Sequence, residues 1–311
     1  MEITEKKYNI AVLGGDIRQK TVTQILRNRG HIIKTCNKFC AANEEEFTGA
    51  AEAVKSSQII ILPLPATGDN VHLTCAPVSG NRECEQPDIS IYDLIRNNCN
   101  NEKKYILGGK LPALFSGIAE KNGYDVTDYF LSETLQLKNA LPTAEGALMT
   151  CMENLRKTIR GSRFAILGYG RIGKILAGII KNLGGQATVF ARRDETLESA
   201  ADMGFSTFKL QPKENLSYCR EFASVLNGCD AIFNTVPSII VGRATLEHIE
   251  RRPIFIELAS APGGFDTEAA RDTGHKIIFA PSLPGRYAPE SAGQYISDEV
   301  IYIMSQKGIF L

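Results

Sequence analysis

The sequence has no surplus charge of either sign. Its 35 Lys and Arg are matched by 35 Asp and Glu, giving a formal net charge of +0, and no basic stripe stands out. A nucleic-acid surface is therefore not expected, because neutralising phosphates takes clustered Lys and Arg. No stretch approaches the roughly 18 consecutive apolar residues that span a bilayer, so no membrane segment is expected either. The opening Met1-Glu2-Ile3-Thr4-Glu5-Lys6-Lys7 is polar and runs into a strand, unlike a signal peptide, and a cytoplasmic location is the expectation. The 8 Cys are scattered without a Cys-x-x-Cys pair. No metal site is expected, buried reduced thiols are the default, and a reactive thiol among them is left open. A chain of 311 residues with a 43% hydrophobic fraction suits one or two α/β domains with ordinary cores.

One stretch carries most of the information. Arg163-Phe164-Ala165-Ile166-Leu167 reads as a strand, Gly168-Tyr169-Gly170-Arg171-Ile172-Gly173 as a glycine-rich turn, and the apolar-periodic run through Lys181 as a helix. Gln186 to Arg193 reads as a second strand and its end. This is the spacing that seats a dinucleotide pyrophosphate at a helix N-terminus. Gly168 makes the tight turn, Gly170 lets the backbone approach the ligand, and Gly173 lets the helix pack closely on the sheet. At the end of the second strand, sites for NAD place an acid on the ribose 2′-hydroxyl. Here Ala191-Arg192-Arg193 stand in that position. Guanidinium groups form charge-assisted forks with a 2′-phosphate, so NADP is expected over NAD, with Asp194 as the one opposing feature.

The first half repeats the rhythm. Tyr8 to Leu13 reads as a strand, Gly14-Gly15-Asp16 as a turn, Gln19 to Arg29 as a helix and His31 to Cys36 as a second strand. Continuous apolar strands follow in both halves, at Gln58 to Pro65 and Lys104 to Gly109, and at Ala231 to Pro237 and Ile254 to Ala259. Such strands alternating with helices indicate parallel sheets covered on both faces. The expected fold is α/β, with two doubly wound Rossmann-like domains and a cleft between them. The first spans 1–138 and is completed by a C-terminal helix over 290–311. The second spans 139–289 and includes a linking helix over 142–160 that starts at Leu141-Pro142-Thr143. Gln19 stands near the place of a third glycine in the first turn, so only the second domain is expected to bind the dinucleotide. In this fold Thr235, Val236, Pro237 and Ala259 lie along the nicotinamide ribose.

Several segments together resemble the family of dipicolinate synthase A subunits. They are Gly14-Gly15-Asp16-Ile17-Arg18, Leu141 to Ala147, the turn Gly168 to Gly173, Glu257 to Gly264, and Ala280-Pro281-Ser282-Leu283-Pro284-Gly285-Arg286-Tyr287-Ala288-Pro289. The broader architecture is similar to D-2-hydroxyacid dehydrogenases. The resemblance implies oxidation of a dihydrodipicolinate-type cyclic dicarboxylate from the lysine pathway to dipicolinate, with NADP as hydride acceptor. It also implies a role in the mother cell of a sporulating bacterium and a partner, the B subunit of dipicolinate synthase. Self-association is left open.

Such a reaction needs groups for two carboxylates and a base for one proton. The candidates for binding substrate are Arg18 beside Asp16, Lys110 and Ser282. The candidates for catalysis are Arg286 and Tyr287 after the last strand, His72 as the base, and Glu145 at the start of the linking helix. D-2-hydroxyacid dehydrogenases carry an Arg and a His where this chain has Ser260-Ala261-Pro262 and Leu283-Pro284-Gly285, so hydroxyacid chemistry is the weaker alternative. The others are an amino-acid dehydrogenase and a non-catalytic NADP-binding partner subunit.

Overall fold

The computed structural model describes residues 6–75, 89–96, 103–211 and 216–311. The opening segment through Glu5, Cys84 and Cys99 lie outside them. The chain divides into two compact units, Met1–Asn139 with Ala288–Leu311, and Ala140–Tyr287.

In the first unit strands and helices alternate as β1 (Asn9–Val12), α1 (Arg18–Asn28), β2 (Ile32–Thr35), α2 (Ala50–Ser56), β3 (Ile59–Ile61), α3 (Ile91–Ile95), β4 (Lys104–Gly108), α4 (Ala113–Lys121) and β5 (Tyr124–Asp128). The strands are parallel in the order β2-β1-β3-β4-β5. Alternate residues feed two cores, one on each face of the sheet. Ile10, Val12, Ile59 and Ile61 point into one, and Ala11, Leu13, Ile60 and Leu62 into the other. Burial on both faces is why these strands read as unbroken apolar runs.

Helix α5 (Glu133–Asn154) leads into the second unit. It starts and ends earlier than the helix expected over 142–160. The reason is Ser132, whose Oγ accepts the Leu135 N–H and whose carbonyl accepts the Gln136 N–H. Ser132 is the true N-terminal signal, and Pro142 lies inside the helix, where it removes a single backbone donor.

The second unit continues with β6 (Arg163–Leu167), α6 (Arg171–Asn182), β7 (Gln186–Ala191), α7 (Asp194–Asp202), β8 (Ser206–Lys209), α8 (Leu216–Asn227), β9 (Ala231–Asn234), α9 (Arg243–Leu246), β10 (Ile254–Glu257), α10 (Thr267–Asp272), β11 (Ile277–Phe279) and α11 (Leu283–Tyr287). Its parallel sheet runs β11-β10-β9-β6-β7-β8. The strand order reverses between β6 and β9, and doubly wound sheets bind ligands at that reversal, beyond the strand ends. Helix α6 forms because Gly173, Leu176, Ala177 and Ile180 recur at helical spacing and bury one face.

Helix α12 (Pro289–Gln306) then returns to the first unit. Ile296, Val300 and Met304 join its core, and Gly293 lies so close to α1 that a Cβ there would stand 2.6 Å from the Arg18 carbonyl oxygen. Among the described residues no helix is long and apolar enough to cross a membrane.

Candidate functional site

The turn after β6 is built around its glycines. Gly168 has φ +95°, and a Cβ there would strike the side chains of Thr235 and Val236. A Cβ on Gly173 would collide with the Gly168 carbonyl, so the helix could not sit this close to the strand. Gly170 differs, because a Cβ there meets nothing within 4 Å. The space it would fill is open groove, which is what close approach of a ligand to the backbone requires. No side chain caps the N-terminus of α6, and a helix start presents its first-turn N–H groups and positive dipole end to an anion.

A groove of about 830 Å³ runs past this turn, within the roughly 300–1,000 Å³ typical of cofactor clefts. Gly168, Tyr169 and Gly170 line one part, Ala191, Arg192 and Arg193 another, and Thr235, Val236 and Pro237 a third. The structure thus brings most of the expected cofactor residues together on one face of one unit. Arg192 and Arg193 are both exposed. Asp194 opens α7, and its Oδ2 lies 2.7 Å from the Lys209 Nζ.

The loops after β9 and β10 share a buried carboxylate that sequence reasoning missed. Glu257 is 4% exposed. Its Oε1 accepts from Asn234 Nδ2 at 2.6 Å and from the Ala259 N–H at 2.9 Å, and its Oε2 accepts from the Gly264 N–H at 2.7 Å. Asn234 in turn holds Val236 through both the backbone N–H and the carbonyl. Thr235 donates from its hydroxyl to the Leu167 carbonyl at 2.9 Å. The signal was legible as a lone acid closing the apolar strand Ile254-Phe255-Ile256-Glu257.

Arg286 and Tyr287, expected after the last strand, close the short helix α11 that follows β11. The Ser282 carbonyl starts that helix by accepting the N–H groups of Gly285 and Arg286, and Ser282 itself is left-handed at φ 56°. The exposed Arg286 guanidinium lies 5.3 Å from the Tyr287 ring centroid. The Tyr287 hydroxyl reaches Glu153 Oε2 at 3.5 Å. Glu145 is an exposed residue within α5 rather than at its start. The next residue, Gly146, allows Tyr287 and Leu283 to pack directly on the α5 backbone.

In the first unit Arg18 is not a free cation. It is buried, its Nε and Nη2 donate to both Asp16 oxygens at 2.8–3.1 Å, and Nη2 also reaches the Leu64 carbonyl at 2.5 Å. The pair braces the turn after β1. In that turn a Cβ on Gly15 would meet the Gln19 side chain at 2.5 Å, so Gln19 fills space that the second turn leaves open.

His72 Nδ1 lies 2.6 Å from Asp69 Oδ2, in an exposed pair. The His72 ring and the backbone N–H groups of His72 and Val71 hold the Asp69 carboxyl below its usual range. Asp69 is a second residue that the sequence reading passed over. Lys110, left-handed at φ 55°, gives its N–H to Asp128 at 3.1 Å and holds its Nζ 5.5 Å from the Phe130 ring centroid. The described cysteines form no disulfide, and burial pushes the Cys40, Cys151 and Cys229 thiols up to about 12, far from the range of reactive thiolates.

Comparison with known proteins agrees with this architecture. The chain is similar in fold to D-lactate dehydrogenase from Escherichia coli, at 12% identity and a TM-score of 0.60, covering 96% of this chain and 97% of that one. It is more similar to the A subunit of dipicolinate synthase from Bacillus halodurans, with a TM-score of 0.76, 24% identity and coverage of 95% and 97%. The corresponding chain from Bacillus subtilis gives a TM-score of 0.77 at 26% identity, with 98% of each chain covered. In sequence, the A subunit of dipicolinate synthase from Bacillus subtilis (strain 168) is 30% identical over 304 residues, 96% of each chain. The family profile described as the N-terminal domain of the dipicolinate synthase A subunit matches residues 9–130. With similarity running through both units, the chain belongs to the family of dipicolinate synthase A subunits.

Proposed function

We propose that the chain is an NADP-dependent oxidoreductase that converts a dihydrodipicolinate-type cyclic dicarboxylate to dipicolinate. The observation that carries this reading is sequence similarity to one dipicolinate synthase polypeptide over 96% of both chains, across both units. The reaction removes a hydride from a ring carbon and a proton from the ring, and aromatic stabilisation of the product favours the forward direction.

When bound, NADP supplies the hydride acceptor. The N–H groups opening α6, behind Gly168 and Gly170, take the pyrophosphate. Arg192 and Arg193 take the 2′-phosphate. Two features support the phosphorylated cofactor over NAD. Both arginines line the groove, and the acid next to them in sequence, Asp194, is turned to Lys209. Thr235, Val236, Pro237 and Ala259, braced by Asn234 and Glu257, border the nicotinamide ribose.

Lys110, Ser282 and Arg286 are the assigned groups for the two carboxylates, with Tyr287 orienting Arg286. The Arg18–Asp16 pair fixes the turn after β1. His72 is the assigned proton acceptor. Its hydrogen bond to Asp69 puts the ring proton on Nδ1 and leaves Nε2 as the accepting nitrogen. Glu145 is the second choice for that role. The partner is the B subunit of dipicolinate synthase, in the cytoplasm of a sporulating mother cell.

The test is an assay of the purified chain, with and without that B subunit, given NADP and freshly generated dihydrodipicolinate. Dipicolinate formed by the chain alone supports the reading. Product only with the partner makes this chain the nucleotide-binding half of a shared site. No product in either arm contradicts the reading.

A further inference from the structure

The dinucleotide groove has a second lobe. It is a cavity of about 520 Å³ lined by Tyr169, Lys174, Arg193, Glu195, Thr196 and Ser199. Tyr169, Arg193 and Thr196 also line the main groove, so the two are continuous. Their chemistry differs. The main groove offers Leu210, Tyr218 and Ile240, flat or branched apolar surface suited to a base. The second lobe offers a Lys, an Arg and two hydroxyls.

Lys174 is held in place. Its Nζ lies 5.6 Å from the centroid of the Tyr169 ring, close enough for a cation–π attraction. Tyr169 is 8% exposed and sits edge-on to Phe205 at 6.1 Å, so the ring under the ammonium is fixed by the core. Lys174 follows Arg171 by one helical turn and stands on the second-lobe side of the glycine turn. Among the described residues neither Lys174 nor Arg193 makes an ion pair.

We infer that this lobe is the pocket for the cofactor's 2′-phosphate and that Lys174 is its specificity-determining residue, acting with Arg193. The inference rests on the NADP reading above. A phosphate monoester carries close to two negative charges near neutral pH and offers three strong acceptor oxygens. Lys174 and Arg193 supply matching charge, and the Thr196 and Ser199 hydroxyls supply neutral donors. The Glu195 carboxylate opposes them, leaving the lobe with a net single positive charge. NAD places only a hydroxyl there and gains nothing from the ammonium.

Calorimetric titration of the full chain with 2′,5′-ADP and with 5′-AMP, which differ only in the 2′-phosphate, tests this without turnover. The intact chain is expected to bind 2′,5′-ADP more tightly. Lys174→Met should weaken 2′,5′-ADP by about tenfold, the worth of one charge-assisted hydrogen bond. Its 5′-AMP affinity should hold within about twofold, which also reports that the variant is folded. Glu195→Gln should tighten 2′,5′-ADP alone. If Arg193→Met abolishes the preference and Lys174→Met leaves it intact, the inference fails and the NADP reading stands. If Lys174→Met weakens both ligands equally, the lysine serves the shared 5′-phosphate or the fold, and the inference fails. If the intact chain shows no preference, the NADP reading fails with it.

Discussion

Asn234 donates to Glu257 across 2.6 Å, from the ends of the neighbouring strands β9 and β10. This contact ties the loop after β9, which lines the groove, to the loop after β10, because Asn234 grips Val236 and Glu257 grips the N–H groups of Ala259 and Gly264. Gly264 has no side chain because a Cβ there would fall on the Asn234 amide. Glu257→Ala strands three donors in a buried site and should cost roughly 3–5 kcal/mol of unfolding free energy. Glu257→Gln keeps an acceptor for Asn234 but turns an amide toward the Gly264 N–H, and should fall between. Urea unfolding of the three chains gives the ranking, and equal stability of all three would contradict it.

Exchanging Arg192 and Arg193 together for Ser should weaken NADP by about tenfold for each lost charge-assisted contact. NAD affinity should barely move. Equilibrium titration with NADPH and NADH, read through nicotinamide fluorescence, separates the two. The chain has no Trp, which keeps the protein's own emission low.

Among the described residues three other than glycine hold a positive φ, namely Asn70, Lys110 and Ser282, at 67°, 55° and 56°. A side chain in this conformation costs about 1–3 kcal/mol and persists where its neighbours over-determine it. Asn70 sits between Asp69 and His72, and the other two are assigned to substrate carboxylates. Lys110→Gly and Ser282→Gly should therefore leave stability unchanged or raised by up to about 1 kcal/mol. If the side chains bind substrate, KM should rise by about tenfold. Thermal unfolding and steady-state kinetics on the same samples measure the two effects. A stable variant with normal KM removes that residue from the site.

His275 gives a pH dependence of known sign. Burial lowers its pKa, outweighing the Leu246 carbonyl that accepts from Nε2 at 3.2 Å, and the nearby Arg252 lowers it further. The folded state thus favours the neutral ring, and the unfolded chain binds the proton more readily. The resulting stability is complete above the ordinary His value of about 6.5 and declines as pH falls through it. His275→Gln should flatten the slope of the urea midpoint between about pH 5 and 8. An unchanged slope would show that another group is responsible.

The fold was legible because buried parallel strands such as Ile59-Ile60-Ile61 announce themselves as unbroken apolar runs, and because Gly168 and Gly173 can be replaced only at a geometric cost. What escaped detection depends on partners distant in sequence. Arg18 reads as an available cation, yet its guanidinium is closed off by Asp16 and by Leu64, which is 46 residues away. Glu257 reads as the end of a strand, and only the fold brings Asn234 to it. Pro142 imitates a helix start, while the effective cap, Ser132, lies where a short 3-10 turn hands over to α5. Lys174 looks like the solvated face of an amphipathic helix until α7 places Thr196 and Ser199 around the same lobe.

The most direct measurement follows NADPH and dipicolinate by absorbance in one cuvette, with the chain, its B-subunit partner, freshly generated dihydrodipicolinate and NADP. One NADPH is expected for each dipicolinate formed, with much slower formation of both with NAD. Dipicolinate appearing at an undiminished rate without nucleotide, or with no NADPH beside it, would contradict this.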